Sequence, residues 1–401
     1  MSVDLLAIKF NHLPTSASGD ALSIRRNATT AVTVPEWRQG ITTQPEDSPA
    51  AYAISEVAGN TVTIQARFAR GDAKLSSVEV RALDADANPP DRSGCLGFLV
   101  YLLWLIMRAL AGNVLGEVRA RKITFGESGV TGYESFTLKN TRLATAGVGA
   151  YTTTWRWQYR VTKRSPWVDM ATTNHRVYLV LETPKAPWSQ AAGSTALPWT
   201  EVLDRACSWA RGRATTDDAA AAVTQAVYAL GPSVITYDCP GGGSTRYAVG
   251  GFDCTAFLER LAGGLGNGQY VNCTDCATIV STFANVLGCD LWQSRMGDFF
   301  GLNPMLGIGS ATWEPSCGWH SFSYHEVAWK GACDANERIF DACLQVDGDG
   351  DPTAAPHVAL LPVNMRFGFP GDGDYRDRLA TPSGRPNCNP QPSTRQRRAV
   401  V

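Results

Sequence analysis

The sequence has almost no excess of either charge, and it lacks an apolar run long enough to span a bilayer. Its 401 residues include 36 Lys and Arg against 37 Asp and Glu, so no global field attracts the chain to nucleic acid or an anionic membrane. Charged residues make up only 18% and hydrophobic residues 44%, which excludes the composition of disordered chains. We therefore expect folded domains, no nucleic-acid partner and a function carried by local sites.

Cysteine is nearly absent from the first half of the chain. Of eleven cysteines, only Cys95 precedes residue 200. The odd count, and a start at Met1 with no charged and apolar leader, argue against Sec-dependent secretion with a complete disulfide framework. We expect a reducing, cytoplasmic location or export without a Sec signal peptide; in the second case some cysteine pairs could oxidise.

The most apolar stretch runs from Ser93 to Met107 without a charge, and Arg108 follows it. A membrane-spanning helix needs about 20 such residues. The flanking segments also resemble strands of one β-domain, which a spanning helix would separate across the membrane. The pattern predicts a buried or partner-covered helical insertion near 93–116. A membrane segment, or a reversible membrane or partner-protein contact through Leu96–Met107, remains an alternative.

Alternating apolar residues dominate the first 185 residues. They occur at 61–68, at Val78 and Val80, and at Trp155, Trp157 and Tyr159, with turn-forming residues between the runs. Such alternation indicates strands that bury one face. We predict an all-β sandwich, immunoglobulin-like, over residues 1–185, with its tryptophans in the core.

A segment rich in proline and small residues, 186–199, is predicted to be a linker. Helical patterns follow it, first over Thr200–Arg211 and then over Asp217–Leu230, which Gly231 and Pro232 end. We predict a second, α+β domain over 200–381. Residues 382–401 are predicted to be a flexible tail.

The segment after Asn272 has the pattern of a helix that begins with a cysteine. Asn272 is a good N-cap, Asp275 lies in the first turn and Gly288 is a natural stop. Cys273 therefore stands at the positive end of a helix dipole, which favours the nucleophilic thiolate. Cys276 lies one turn later on the packed side, where a structural role is expected.

A thiol nucleophile needs an imidazole to hold its proton and an acceptor to orient that imidazole. Residues 319–329 read as one long strand that contains His325, and residues 338–344 read as the next strand, with Asp341. Antiparallel neighbours bring these two side chains together only if the register permits. His320, on the opposite face of the same predicted strand, is a rival base.

These residues resemble the transglutaminase-like superfamily of papain-like cysteine enzymes, over about residues 200–350. In that family a Cys-x-Asp-x-Ala motif opens a helix, and a His and an Asp follow on neighbouring strands; Cys273–Ala277 matches the motif. The resemblance implies Cys273 as nucleophile, His325 as general base and acid, and Asp341 as its orienting partner. Val327 and Ala342 depart from the family's usual aromatic residue and proline at those positions.

Other patterns support different sites less well. Cys273, Cys276, Cys317 and His320 could supply four zinc ligands, but the interval between the two pairs exceeds that of compact zinc modules. The acidic run 347–351 lacks the glycine and glutamate that an EF-hand calcium loop requires. We therefore expect no metal and no cofactor. Gln269 or Asn272 could donate to an oxyanion, although loop polarity and helix capping explain them equally well.

The sequence thus predicts thiol-mediated acyl transfer on amide bonds of a protein or peptide substrate, through Cys273, His325 and Asp341. Water as acceptor would give a peptidase or deamidase, and an amine would give a transglutaminase; hydrolysis is slightly favoured because nothing marks a second amine site. The alternative is a non-enzymatic binding protein whose second domain is catalytically inactive or stabilised by zinc.

Overall fold

The computed structural model describes residues 2–13, 19–59, 61–85, 98–101, 103, 113–191, 193–313 and 316–401. The chain divides into two compact units. The first contains Met1–Ile24 and Ala31–Thr183, and the second contains Arg25–Thr30 and Pro184–Val401. The passage between Thr183 and Pro184 lies just before the predicted linker 186–199.

The first unit is built almost entirely of strands. Over its described residues the nine strands are β1 Val3–Lys9, β2 Trp37–Arg38, β3 Ala50–Ala53, β4 Thr63–Arg70, β5 Ser77–Asp84, β6 Glu117–Thr124, β7 Glu134–Lys139, β8 Gly149–Arg160 and β9 Val168–Val180. A short helix, α1 Ile54–Val57, and a 3-10 turn, Pro45–Asp47, accompany them. The strands form one sheet in the order β2-β1-β4-β7-β6-β5-β8-β9-β3, antiparallel except for the β3–β9 pair.

Alternating apolar side chains create the core of this sheet, as the sequence pattern predicts. The sheet curls, so that aromatic residues of strands distant in its order meet. The ring of Phe68 in β4 lies 6.0 Å from that of Trp157 in β8, and Phe10, which follows β1, lies 6.0 Å from Trp155. The sheet-rich character is therefore confirmed, although continuous strand pairing replaces the two separate sheets of the predicted sandwich.

Most of the predicted apolar insertion near 93–116 falls outside the described residues. Residues 98–101 and 103 are helical, and Phe98, Leu99 and Leu103 expose more than half of their surface, at 55%, 57% and 58%. Over the described ranges, no helix combines the length and the apolarity that a membrane crossing requires. The predicted contact through Leu96–Met107 stays untested.

The described part of the second unit combines five helices with short strands. The helices are α2 Thr200–Trp209, α3 Thr216–Tyr228, α4 Cys254–Leu261, α5 Cys273–Val286 and α6 Tyr375–Leu379. The strands are β10 Thr236–Tyr237, β11 Tyr270–Val271, β12 Trp292–Met296, β13 Phe300–Gly301, β14 Leu306–Gly307, β15 Ser321–Phe322, β16 His325–Trp329, β17 Arg338–Phe340, β18 Leu344–Asp347, β19 Ala359–Leu360, β20 Val363–Arg366 and β21 Pro390–Gln396. Two 3-10 turns, Ser316–Gly318 and Arg385–Asn387, complete the unit.

Helix α5 is the centre of this unit, because every one of its residues is buried. It packs against α2, α3 and β16. The strand β16 belongs to a five-stranded antiparallel sheet in the order β20-β17-β16-β12-β21. The predicted helices near 200–211 and 217–230 are confirmed as α2 and α3.

The predicted linker 186–199 is packed at both ends, at Trp188 and at Leu197–Trp199, while residues 191, 193 and 195 between them are exposed. The indole of Trp188 is buried, and its Nε1 donates to the Thr282 carbonyl at 2.9 Å. The ring of Trp188 also meets that of Trp199 at 6.0 Å. Two tryptophans in a segment of small residues are enough apolar surface to bind it against α5.

The prediction of one long strand over 319–329 is wrong. β15 pairs with β13, whereas β16 pairs with β12 and β17 in the five-stranded sheet. The chain therefore changes sheets between Phe322 and His325, because its two halves find different hydrogen-bonding partners.

The prediction of a flexible tail over 382–401 is also wrong. β21 is the edge strand beside β12, and the Val401 amide donates to the Phe252 carbonyl at 2.9 Å. The Arg398 guanidinium donates to both carboxylate oxygens of Glu326, at 2.6 and 3.2 Å. The Glu326 side chain has no exposed surface, so the arginines that suggested a solvated tail include the counterion of a buried acid.

We expect Arg398→Ala to lower the free energy of unfolding by about 3–5 kcal/mol, because it leaves Glu326 buried without its main counterion. Urea denaturation followed by tryptophan fluorescence measures the change. Arg395→Ala, three residues earlier in β21, is the matched control; Arg395 is exposed and stacks on Trp292 at 3.6 Å, which contributes about 0.5–1 kcal/mol. Equal losses in the two variants would contradict the buried-counterion role.

Candidate active site

The start of helix α5 holds Cys273 in a fixed position. The Asn272 side chain accepts a hydrogen bond from the Asp275 amide at 3.0 Å, and Asp275 accepts one from the Asn272 amide at 3.1 Å. This reciprocal capping satisfies two of the amides that a helix start leaves unpaired. Cys273 is the first residue of the helix and keeps 6% of its surface exposed.

Asp275 also attaches a neighbouring loop to the helix start. Its carboxylate accepts hydrogen bonds from the amides of Arg246, Tyr247 and Ala248, at 2.9, 2.8 and 2.9 Å. Burial raises the pKa of Asp275 despite these bonds, which act in the opposite direction. The aspartate of the Cys-x-Asp motif therefore organises the backbone around Cys273.

His325 and Asp341 form a buried pair. The His325 Nε2 lies 2.9 Å from the Asp341 Oδ2, and the two side chains are 0% and 1% exposed. The pairing of β16 with β17 brings them together, because His325 opens one strand and Asp341 directly follows the other. The other carboxylate oxygen accepts a hydrogen bond from the Cys343 amide at 2.7 Å.

The surroundings of His325 favour its protonated form. Burial alone would lower the pKa of His325, but the charge and hydrogen bond of Asp341, with a smaller effect of the Cys273 thiol, raise it to about 10. The ring of Phe322 stacks on the imidazole with centroids 5.5 Å apart. His325 is thus held by a carboxylate at one edge and by an aromatic ring on one face.

The second ring nitrogen of His325 is available to Cys273. Nδ1 is buried and has no hydrogen-bond partner within the described part of the chain. The Cys273 thiol is close enough to contribute to the raised pKa of His325, although the two groups do not form a hydrogen bond of normal geometry. The order thiol, imidazole and carboxylate is the arrangement that nucleophilic catalysis requires.

Tyr375 is a third partner of the pair, and no sequence pattern predicted it. Its hydroxyl donates to the Asp341 Oδ2 at 2.7 Å, so this oxygen accepts from both the tyrosine and the histidine. Tyr375 lies in α6, is fully buried, and has a pKa raised by burial and by Asp341. No motif links it to Asp341, which precedes it by 34 residues.

A row of aromatic rings leads from the start of α5 to His325. Tyr237 lies 5.9 Å from Trp319, and Trp319 lies 6.4 Å from Phe322, between ring centroids. Burial raises the pKa of Tyr237, and nearby acidic groups, among them the Cys273 thiol, add to the shift. Its hydroxyl makes no hydrogen bond to any residue that the structure describes.

Two features fix this aromatic row. A disulfide joins Cys239 to Cys317 with their Cα atoms 5.1 Å apart, so it ties the loop after Tyr237 to the loop before Trp319. Gly243, with φ +73°, lies between the rings, and a Cβ there would be 3.1 Å from Trp319 and 3.7 Å from the Tyr237 hydroxyl. The Asn272 side chain donates to the Gly243 carbonyl at 2.7 Å, which connects the row to the helix cap.

The remaining candidates take other positions. His320 is exposed and is not the histidine that pairs with Asp341. Asn272 uses its side-chain amide on Gly243 and Thr245, and Gln269 is exposed in a loop. Cys317 is in the disulfide, which removes one ligand of the zinc alternative. Among the described residues no group of three or more His, Cys, Asp or Glu side chains could hold a metal ion.

The acidic run and two of the other cysteines have structural partners. Asp347 pairs with His357, whose Nδ1 lies 2.6 Å from its Oδ2. Cys276 and Cys343 are fully buried and lie against each other, and burial raises the pKa of both thiols. These thiols are therefore poor nucleophiles.

Comparison with solved structures gives distant similarities. No protein-family model matches the sequence, and no curated protein matches it. Among solved structures, a transglutaminase of red sea bream is similar, with 9% identity and a TM-score of 0.36. The match covers 76% of this chain and 50% of that transglutaminase, so the chain spans about half the length of that protein.

We expect one imidazole to stay protonated until the pH approaches about 10, because Asp341 stabilises the charged form of His325. NMR titration of the five histidines, with His325→Asn to assign the signal, measures its pKa. Asp341→Asn should lower that pKa toward the ordinary value of about 6.5, whereas His320→Asn should leave it unchanged. Titration of His325 near 6.5 in the unaltered protein would contradict the pairing.

Proposed function

We propose that this protein is a cysteine-dependent acyl-transfer enzyme that acts on amide bonds of a protein or peptide. The observation that carries the proposal is the buried pair of His325 and Asp341, with the free nitrogen of the imidazole next to Cys273 at a helix start. A structural histidine would need no such combination of a carboxylate on one nitrogen and a thiol near the other. The resemblance of Cys273–Ala277 to the transglutaminase-like motif agrees with this assignment.

In the proposed reaction the Cys273 sulfur attacks the amide carbonyl. Protonated imidazole beside a thiol favours the thiolate, and the helix dipole adds to this effect. The proton on His325 then passes to the departing amine, and the acyl group remains on sulfur as a thioester. Neutral His325 next takes a proton from the incoming water or amine, which attacks the thioester and releases the product.

The tetrahedral intermediate carries a negative oxygen that needs hydrogen-bond donors. The amide of Cys273 at the helix start is one such donor. The hydroxyl of Tyr237 is the second, because this tyrosine lies near Cys273 and its hydroxyl makes no hydrogen bond to the described residues. The disulfide and the Asn272–Gly243 hydrogen bond hold its loop in place before substrate arrives.

Water and a primary amine are the two possible acceptors of the acyl group. Hydrolysis gives peptidase or deamidase activity, and amine transfer gives a cross-linking or transglutaminase activity. We favour hydrolysis, since no group in the described part of the site marks a separate place for an amine. Tyr375 has a positioning role in either case, because it holds the Asp341 carboxylate.

We expect Cys273 to be the most reactive buried thiol toward iodoacetamide at neutral pH. Mass spectrometry of the labelled protein locates the alkylated cysteine. Cys273→Ala should also reduce ammonia release from a blocked glutaminyl peptide, or incorporation of an added amine, by about a thousandfold or more. Cys276→Ala is the matched control and should keep both reactivities. Equal labelling of Cys273 and Cys276 in the unaltered protein, with no loss in Cys273→Ala, would favour a non-enzymatic binding protein.

We expect Tyr237→Phe to lower kcat by about a hundredfold, as the loss of one oxyanion donor does in related chemistry. The rate of Cys273 alkylation should not change, because alkylation forms no oxyanion. Tyr270→Phe, in the strand paired with β10, is the control and should retain full activity. A loss of alkylation that parallels the loss of kcat would show that Tyr237 only maintains the fold.

A further inference from the structure

Arg295 lies near the start of helix α5, in a cluster with Tyr324 and Glu326, which contact Thr274. It is on β12, directly across from Glu326 in the sheet. Its guanidinium stacks on the ring of Tyr324 at 4.1 Å, and its side chain is 40% exposed. The stacking fixes the direction of a charge that water can reach.

The charge of Arg295 is not balanced within this cluster. Glu326 is its acidic neighbour, but Arg398 donates to both oxygens of that carboxylate at 2.6 and 3.2 Å. Arg295 has only a longer contact, 3.7 Å from its Nε to the Glu326 Oε2. Its guanidinium makes no hydrogen bond to the residues that the structure describes. Two guanidinium groups thus share one carboxylate, which leaves one positive charge.

Short contacts connect this charge to the residue after Cys273. The Thr274 hydroxyl donates to the Glu326 Oε2 at 2.9 Å and lies 3.4 Å from the Tyr324 hydroxyl. Arg246 is the comparable exposed arginine near the helix start, but it pairs with the buried Asp238 at 3.3 Å. Arg295 is therefore the stronger candidate for binding an anion near the start of helix α5.

We propose that Arg295 binds a carboxylate of the acyl substrate, so that acidic peptides are the preferred substrate class. This inference rests on the proposed function, because the carboxylate must lie on the molecule that Cys273 attacks. A guanidinium that is already oriented by stacking recognises a carboxylate through two parallel hydrogen bonds. The contact is made before and during the reaction, so it lowers KM more than it raises kcat.

A pair of alkylating reagents tests the charge without any knowledge of the natural substrate. Iodoacetate carries a carboxylate and iodoacetamide is neutral, while both alkylate the same sulfur with loss of iodide. The ratio of their rates at Cys273, measured by mass spectrometry, reports the local preference for an anion. We expect Arg295→Gln to lower this ratio about tenfold, the order expected for a charge-assisted contact.

Three controls define the outcome. Arg295→Lys should retain most of the iodoacetate-to-iodoacetamide rate ratio, because lysine keeps the positive charge. Arg213 is exposed, and Arg213→Gln should leave the ratio unchanged. Added NaCl should lower the ratio in the unaltered protein more than in Arg295→Gln, since salt screens exposed charges.

An unchanged ratio in Arg295→Gln, with Cys273 still selectively alkylated, would overturn the inference and leave the proposed function standing. If Cys273 is not selectively alkylated in the unaltered protein, the proposed function is overturned instead.

The recognised carboxylate could belong to an acidic side chain or to the C-terminus of the peptide. Peptides that protect Cys273 from alkylation by iodoacetamide distinguish the two. The probes are acetyl-Ala-Glu-Ala-amide, with a side-chain carboxylate, acetyl-Ala-Gln-Ala with a free terminal carboxylate, and the neutral acetyl-Ala-Gln-Ala-amide. We expect at least one acidic peptide to protect at about tenfold lower concentration than the neutral one, and Arg295→Gln to abolish the difference. The more protective acidic peptide identifies the source. Equal protection by all three peptides would contradict a carboxylate-binding role.

Discussion

The candidate site depends on the buried hydrogen bond between His325 and Asp341. A charged pair with almost no exposed surface costs desolvation energy, so it is retained only where its partners are well satisfied. Here one carboxylate oxygen accepts from the Cys343 amide and the other accepts from both the histidine and Tyr375. The same bonds fix the imidazole ring and leave Nδ1 for Cys273. Electrostatics and geometry therefore favour the same protonated, oriented histidine.

The rest of the second unit holds this pair and Cys273 in position. Helix α5 supplies the thiol at its first turn, and Asp275 fastens a loop to that turn. The five-stranded sheet supplies His325, and the segment that follows its edge strand β21 brings Arg398 back to neutralise the neighbouring Glu326. The disulfide keeps the aromatic row beside the same helix start. Residues that are distant in the sequence thus meet around the first turn of helix α5.

Local patterns in the sequence predicted the parts of the structure that depend on near neighbours. Alternation gave the strands of the first unit, and capping signals gave the start of α5 at Cys273. The same patterns failed where long-range contacts determine the structure. Examples are the break in strand pairing between Phe322 and His325 and the ordered end of the chain. Tyr375 and Tyr237 were missed for the same reason. Each is brought to the site by the path of the chain through the fold, and the spacing of residues along the sequence does not reveal that path. The catalytic assignment itself remains a proposal.

The proposed function requires Cys273 to carry the acyl group during the reaction. p-Nitrophenyl acetate tests it directly, because its reactive ester acylates a competent thiolate whatever the natural substrate is. Rapid mixing followed by acid quenching should give a burst of nitrophenol with an acetyl thioester on Cys273, and hydroxylamine should remove that group. A protein that shows no burst, or that carries the acetyl group on another cysteine while Cys273 stays unmodified, would contradict the proposed function.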